Sequence, residues 1–330
     1  MQAVIRAIKR HKRFLITAHV NLEGDSLGSE LAAKELIEGL GKEAVIVDSD
    51  AVPDHYKFLP KADQVTDTVP KGFTFDAVLV VDCPNLKRTG SVAAIIKAAK
   101  VPVINIDHHV SNEKFGDVNW VEPDASSAGE MIFRLYKAMG RKMTKEVALS
   151  LYVAILTDTG SFNYDNTTAV THEITGELLA YGLAPALVSE RVYEQRSIKD
   201  VRLLSLVLGT LAVNKDGDIA SLELTRDMVE KTGADITKAE GFINYARSLD
   251  KVKVAVLFKE EMDNKGEIKV SFRSKGSADV NAIAAVFGGG GHVKASGCVV
   301  KGTLAEVKKK VLAKVEETLG PGKKRDRANQ

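Results

Sequence analysis

The chain has 330 residues, a length that favours two domains, and its 45% hydrophobic and 27% charged residues are typical of a globular protein. Its 46 basic and 44 acidic residues leave a net charge of +2 without a basic stripe, which argues against a protein that tracks long nucleic acids. Two cysteines are too few for a disulfide framework, and without a signal peptide or membrane span the sequence predicts a cytoplasmic protein.

The first half alternates short apolar segments with amphipathic ones. RFLITAH, EAVIVD, DAVLVVD and VPVINID are rich in β-branched residues, as strands buried on both faces of a parallel sheet are. Between them, SLGSELAAKELIEGLG and SVAAIIKAAK have helical spacing. Further helices are predicted from about Ser126 onward. Together these segments predict an α/β domain over 1–184, with an open, mainly parallel sheet flanked by helices.

The second half has a different periodicity. Residues 185–209 begin with a proline and are amphipathic, which predicts a helical linker. LAVNKDGDIASLELT and VKVAVLFKEEMDNKGEIKVSFRS each contain a turn sequence between two alternating runs and predict β-hairpins. We therefore expect a smaller α+β domain with a mixed sheet over 210–320, followed by a flexible basic tail over 321–330.

Acidic and imidazole side chains follow the apolar segments of the first half. Ligands of open α/β sheets collect at the carboxyl ends of the strands, so we expect these side chains to lie at one edge. They are His19, Glu23, Asp25, Asp82, Asp107, His108, His109 and Asp158. Any one such Asp is equally well explained as a helix N-cap, and a lone His as a packing residue. The combination favours a shared site.

Several carboxylates in one place repel one another unless cations lie among them. Imidazole and mostly oxygen ligands without a thiolate suit two divalent ions, with Mn²⁺ preferred to Zn²⁺. Two such ions can activate a water and stabilise the attacking and leaving oxygens at phosphorus. The pattern therefore indicates metal-dependent phosphoester hydrolysis.

AHVNLEGDSLGS, VDCPNLKRTG, NIDHHVSN and ILTDTGSF, in this order, resemble the four signature blocks of the DHH phosphoesterase family. FRSKGSADVNAIAAVFGGGGHVKASG resembles the glycine-rich block of the DHH-associated C-terminal domain. Within the family, the chain is most similar to the nanoRNase and 3′-phosphoadenosine-5′-phosphate phosphatase members.

The resemblance implies roles for individual residues. One metal would be held by His19, Glu23 and Asp82, and the other by Asp25, Asp82, His108 and Asp158, with Asp82 as the bridge. Asp107 would orient this block from outside the ligand set, and His109 would face the scissile phosphate. Where the family usually has Pro-Asp, this chain has Leu22-Glu23. We expect the longer side chain to weaken or alter occupancy of the first metal site.

The glycine run FGGGGH admits two interpretations. Gly288 and its neighbours could form a helix C-cap and a tight reversal. Alternatively, backbone N–H groups without side chains in the way could approach a phosphate. The family resemblance favours nucleotide binding by Arg273, Gly289, Gly290, Gly291 and His292.

The sequence thus predicts an enzyme that hydrolyses short oligoribonucleotides to mononucleotides and dephosphorylates adenosine 3′,5′-bisphosphate. A manganese-dependent inorganic pyrophosphatase would share the N-terminal blocks but should offer lysine and arginine instead of a glycine loop. A non-catalytic nucleotide sensor with a decayed site at Glu23 is the other alternative. Short RNA or nucleotide bisphosphates are the predicted partners, a membrane is not, and the oligomeric state, with a homodimer as one alternative, stays open.

Overall fold

The computed structural model describes residues 1–262 and 264–320, which form two units. The first unit spans Met1–Gln195, and the second begins at Arg196. The predicted tail 321–330 lies outside the described residues. Within those ranges, no helix is both long and apolar enough to cross a membrane.

The first unit is built on a six-stranded sheet in which every neighbouring pair is parallel. The strands are β1 (Arg13–Thr17), β2 (Glu43–Val47), β3 (Val65–Thr66), β4 (Ala77–Val81), β5 (Val103–Asp107) and β6 (Val118–Val121). Their order is β3-β2-β1-β4-β5-β6. The four predicted apolar strands are therefore confirmed, and they occupy the middle of the sheet. The edge strands β3 and β6 were not predicted, because one has two residues and the other is only partly buried.

Seven helices accompany this sheet. They are α1 (Gln2–Arg10), α2 (Gly24–Glu38), α3 (Val92–Ala99), α4 (Ala128–Ala138), α5 (Lys145–Asp158), α6 (Ala169–Leu179) and α7 (Pro185–Tyr193). Glycines let α2 and α4 approach α5 closely. A Cβ added at Gly28 would lie 2.3 Å from the carbonyl oxygen of Ser150, and one at Gly129 would lie 2.5 Å from the Cβ of Ala154. This packing brings the ends of the three helices together.

The second unit contains a mixed six-stranded sheet in the order β11-β12-β10-β9-β8-β7. Its strands are β7 (Ala212–Val213), β8 (Ile219–Leu224), β9 (Val254–Glu260), β10 (Glu267–Ser274), β11 (Gly290–Gly291) and β12 (Ala295–Lys301). Only β8 and β9 are parallel among the described pairs. The helices are α8 (Ile198–Leu208), α9 (Arg226–Thr232), α10 (Ile243–Arg247), α11 (Val280–Val286) and α12 (Leu304–Leu319). Both predicted hairpins, β7–β8 and β9–β10, are present.

Side chains of this second sheet point alternately to two apolar layers. Val254, Val256 and Phe258 of β9 contribute to one core cluster, whereas Ala255 and Leu257 contribute to another. A strand buried on both faces is therefore sandwiched between helices.

The predicted linker 185–209 contains two helices, α7 and α8. The side chain of Ser197 accepts a hydrogen bond from the backbone N–H of Asp200 at 3.2 Å, and the carboxylate of Asp200 accepts one from the N–H of Ser197 at 2.8 Å. This reciprocal capping begins a new helix at Ile198, because it satisfies backbone donors at the helix start. The limits of the linker and of the two domains stay predictions.

Candidate metal centre

Three adjacent strands end at the candidate site. The strand order reverses between β1 and β4, and such a reversal opens a crevice at the carboxyl edge of a parallel sheet. His19 follows β1 and Asp82 follows β4 directly, so both lie beside this crevice. Asp107 is the last residue of β5 and is followed by His108. The sheet thus brings together side chains that are almost ninety positions apart in the chain.

Helix ends complete the site. Asp25 lies in the first turn of α2, and its carboxylate accepts hydrogen bonds from the backbone N–H groups of Ala128 (2.7 Å) and Gly129 (2.8 Å) at the start of α4. Asp158 is the last residue of α5, and Asn166 donates to its Oδ2 at 3.2 Å. These bonds fix the two carboxylates, and the positive end of the α4 dipole favours the charge on Asp25.

His19 directs its Nε2 atom toward two carboxylates. This atom lies 3.4 Å from Oε1 of Glu23 and 3.4 Å from Oδ2 of Asp82. The Nδ1 atom is 2.7 Å from the carbonyl oxygen of Val20, a contact that requires a proton on Nδ1. In the neutral ring, Nε2 therefore presents its lone pair toward the carboxylates, as a metal-ligating histidine does.

His108 has the same arrangement on the other side of Asp82. Its Nδ1 atom lies 3.1 Å from the carbonyl oxygen of Ala125. Its Nε2 atom lies 3.5 to 3.6 Å from one carboxylate oxygen each of Asp25, Asp82 and Asp158. The imidazole is buried, so these acidic groups form its immediate surroundings.

Asp82 belongs to two groups of ligand atoms. His19, Asp82 and His109 offer atoms within 4.8 Å of one another, and so do Asp25, Asp82 and His108. The Oδ2 atom of Asp82 is buried, and apart from Nε2 of His19 at 3.4 Å it has no hydrogen-bond partner among residues 1–262 and 264–320. A buried anionic oxygen with so little compensation is costly, and a cation would satisfy it.

The electrostatics reflect the crowding of these acids. Burial raises the pKa of Asp158 to about 6, and burial together with the charge of Asp82 raises the pKa of Asp25 well above its ordinary value. Burial alone would lower the pKa of His108, but the negative charges of Asp158, Asp82 and Asp25 raise it well above normal. The cluster thus attracts positive charge strongly.

The donor set fits hard or borderline divalent ions. Its atoms are carboxylate oxygens and imidazole nitrogens, which suit Mn²⁺ and similar ions. Cys83 is adjacent to Asp82 but is buried, and this burial raises the pKa of its thiol to about 12. Its Sγ atom contacts the carbonyl oxygen of Asn85 at 3.1 Å, so no thiolate takes part in the centre.

Asp107 and His109 form a pair beside the ligand atoms. The Nδ1–H group of His109 donates to Oδ1 of Asp107 at 2.7 Å, which fixes the tautomer and orientation of the ring. Oδ2 of Asp107 accepts from the side-chain amide of Asn112 at 2.6 Å. Sequence reasoning did not single out Asn112, although it closes the quoted segment NIDHHVSN.

Glu23 differs from the other predicted ligands. Half of its side chain is exposed, whereas Asp25, Asp82 and His108 are buried. The compact group of ligand atoms around His19 and Asp82 includes His109, whereas Glu23 contacts His19 at 3.4 Å from the exposed side. Assignment of Glu23 to the first metal stays a prediction.

In the second unit, the glycine run forms a short hairpin with β12. Gly290 pairs with Gly297, and Gly291 pairs with Ser296. A Cβ at Gly289 would lie 2.1 Å from the carbonyl oxygen of Gly297, and Gly291 has a φ of +145°. These glycines are thus required by the tight strand contact itself, in agreement with the interpretation as a reversal.

Arg273 and His292 lie at the same end of this sheet. Arg273 pairs with Ala295 in the register of β10 and β12, and the N–H of His292 donates to the carbonyl oxygen of Ala295 at 2.8 Å. The Nη1 group of Arg273 donates to the carbonyl oxygen of Phe272 at 3.0 Å, while its Nε is buried without a hydrogen-bond partner in the described part of the chain. A guanidinium and an imidazole are therefore close to the glycine hairpin.

Both units have recognisable relatives. Residues 13–155 match the DHH family, N-terminal domain, and residues 222–320 match the DHHA1 domain. The bifunctional oligoribonuclease and PAP phosphatase NrnA of Thermus thermophilus is 33% identical over 92% of this chain and 89% of its own length. The protein of the same name from Bacillus subtilis is 30% identical over 90% of this chain and 92% of its own length. An exopolyphosphatase-related protein from Bacteroides fragilis has a TM-score of 0.85 and 29% identity, with 95% of each chain covered.

Proposed function

This chain belongs to the DHH family, and from that premise we propose that it hydrolyses short oligoribonucleotides to mononucleotides and dephosphorylates adenosine 3′,5′-bisphosphate. Two relatives that match over about nine-tenths of the chain have both activities in their names. We also propose that it acts in the cytoplasm, and a homodimer stays a prediction that sedimentation would check.

One observation supports this proposal above the others, namely the position of Asp82 between two histidines. Its oxygens lie 3.4 Å from Nε2 of His19 and 3.6 Å from Nε2 of His108. In the proposed centre, Asp82 would be shared by two divalent ions, most suitably Mn²⁺; His19 and Glu23 would complete one ligand set, and Asp25, His108 and Asp158 would complete the other. When bound, such ions polarise the phosphoryl group and lower the pKa of a water nucleophile.

The remaining residues position the substrate. His109, oriented by the hydrogen bond from its Nδ1–H group to Asp107, directs its ring toward the phosphoryl group. Arg273 and His292 hold a nucleotide through charge-assisted bonds to a phosphate, and backbone N–H groups of the 289–291 segment approach it closely. Recognition of short substrates needs no extended basic surface, in keeping with the net charge of +2.

The experiment that tests this function compares four substrates in Mn²⁺ and in a chelator. They are an RNA dinucleotide, a longer RNA, adenosine 3′,5′-bisphosphate and pyrophosphate. We expect metal-dependent hydrolysis of the dinucleotide and the bisphosphate. Hydrolysis of pyrophosphate alone would identify an inorganic pyrophosphatase instead, and nucleotide binding without turnover would identify a sensor.

A matched pair of variants connects this activity to the centre. Asp82→Asn keeps the size of the side chain but removes its negative charge. We expect kcat to fall by more than about 100-fold, which exceeds the loss usual when a residue that only orients a metal ligand is mutated. Asp63→Asn is the control, because Asp63 is exposed in the same unit. Equal turnover by the two variants would exclude Asp82 from the reaction.

A further inference from the structure

Asp82 has an unusual backbone conformation. Its φ is +50°, in the left-handed region that residues with a Cβ adopt only at a cost of about 1 kcal/mol or more. Its N–H donates to the carbonyl oxygen of Ile106 at 2.9 Å, which fixes one side of the residue to β5. The conformation persists only if the backbone after Asp82 is held as well.

Side-chain amides hold this backbone at the peptide between Cys83 and Pro84. The carbonyl oxygen of Cys83 accepts from Nδ2 of Asn105 at 3.2 Å and is 3.3 Å from Nδ2 of Asn112. Asn105 is fully buried in β5, and its Nδ2 also lies 3.3 Å from the carbonyl oxygen of Val80. Both donors of this amide are thus directed at the backbone on either side of Asp82.

Asn112 connects this amide to the catalytic histidine. Its Nδ2 donates to Oδ1 of Asn105 at 2.8 Å and to Oδ2 of Asp107 at 2.6 Å. Asp107 is fully buried, and its other oxygen accepts from His109. A continuous set of hydrogen bonds therefore runs from the ring of His109 to the carbonyl group of Cys83, the residue after Asp82. In such a buried network, removal of one member leaves others unsatisfied and is costly.

We propose that Asn112 is a positioning residue that sets the ring of His109 and the backbone of Asp82 together. This inference rests on the proposed function, since it concerns how the same centre is held. The two donors of its amide are the essential feature. Its Oδ1 atom has a separate role, because it accepts from the backbone N–H of Lys114 at 2.6 Å and so shapes the loop.

The variant Asn112→Asp separates these two roles. A carboxylate can still accept from Lys114, but it presents an oxygen instead of the amide donors toward Asp107 and Asn105. If the amide donors matter, Asn112→Asp should lose at least as much Mn²⁺ affinity and kcat as Asn112→Ala does. If Asn112 only shapes the loop, Asn112→Asp should behave like the native protein.

Three quantities are measured for each variant: Mn²⁺ affinity by isothermal titration, kcat and KM on an RNA dinucleotide, and the unfolding midpoint. We expect Mn²⁺ affinity and kcat to fall about 10- to 100-fold in both variants, the range found for groups that orient metal ligands, with KM within about threefold of native. Asn119→Ala is the control, since the side chain of Asn119 in β6 exchanges hydrogen bonds with the backbone of Gly116.

Native affinity and kcat in Asn112→Asp would overturn the inference. The proposed function fails by a different result, namely the absence of Mn²⁺ binding or of hydrolysis in the native protein itself. Because the titration does not depend on turnover, the two failures are distinguishable.

Discussion

A buried pair of carboxyl groups, Glu30 of α2 and Asp48 after β2, provides a quantitative test of the electrostatics near the site. Glu30 is fully buried and Asp48 is 2% exposed, the charge of Asp48 acts on the carboxyl group of Glu30, and neither Glu30 oxygen has a hydrogen-bond donor among the described residues. Asp48 also accepts from the hydroxyl of Thr17 at 3.1 Å and the N–H of Ala18 at 3.2 Å. The pair therefore holds a shared proton, since two buried carboxylates would repel one another.

The pKa shifts predict the effect of pH on stability. Burial and the charge of Asp48 raise the pKa of Glu30 well above normal, and burial raises that of Asp48 from 3.8 to about 6. The folded pair keeps a proton that the unfolded chain releases, so the free energy of unfolding decreases as pH rises above about 4. A shift from 3.8 to about 6 corresponds to about 3 kcal/mol.

Glu30→Gln replaces the proton with a permanent amide donor to Asp48. As pH rises from about 4 to 8, the variant should therefore lose less unfolding free energy than the native protein, because it has no proton to release at this position. Unfolding by guanidinium chloride in a chelator is followed by emission of the single tryptophan, Trp120, which is buried in the first unit. Glu173→Gln on an exposed face of α6 is the control. A stability difference between Glu30→Gln and native protein that stays constant with pH would refute the shared proton.

Two further predictions concern the proposed ligands. Glu23→Asp, which shortens the side chain by one methylene, should bind Mn²⁺ more tightly than the native protein in an isothermal titration; equal affinities would contradict the role given to Glu23. His292→Ala should raise KM for adenosine 3′,5′-bisphosphate about tenfold or more, the size of one charge-assisted bond, and leave Mn²⁺ affinity unchanged. A native KM would remove the glycine hairpin from substrate binding.

The sequence predicts the central fold because parallel strands buried on both faces are almost purely apolar. RFLIT and AVLVV become β1 and β4, and the rule that ligands collect at strand ends brings His19 and Asp82 to one crevice. The apolar pattern of the edge strand β6 (VNWV) is interrupted by Asn119. In the structure, only Trp120 of its four residues is buried. Its pairing with β5 depends on tertiary contacts that no local pattern encodes.

Supporting residues of the site could not be predicted for a related reason. Asn105 lies inside the apolar segment VPVINID, where one polar residue is easily taken as a solvent-facing position. Glu30 lies in a segment whose sequence predicts an amphipathic helix with charged residues on its outer face, whereas the structure buries α2 on nearly every side. Only the packing of α2 on the sheet reveals that Glu30 is enclosed with Asp48. The functional meaning of both depends on partners far away in the chain.

The close contact of α2 and α4 with α5 has a consequence for how the centre tolerates mutation. Asp25 lies one helical turn from Gly28, and Asp158 ends the helix against which Gly28 packs. The separation of these two acids is therefore determined by core volume and not by a pliable loop. One added methyl group at Gly28, whose nearest neighbours are Ser150 and Ala154, would force α2 and α5 apart and shift the proposed ligands Asp25 and Asp158, so metal affinity would report packing defects in the first unit.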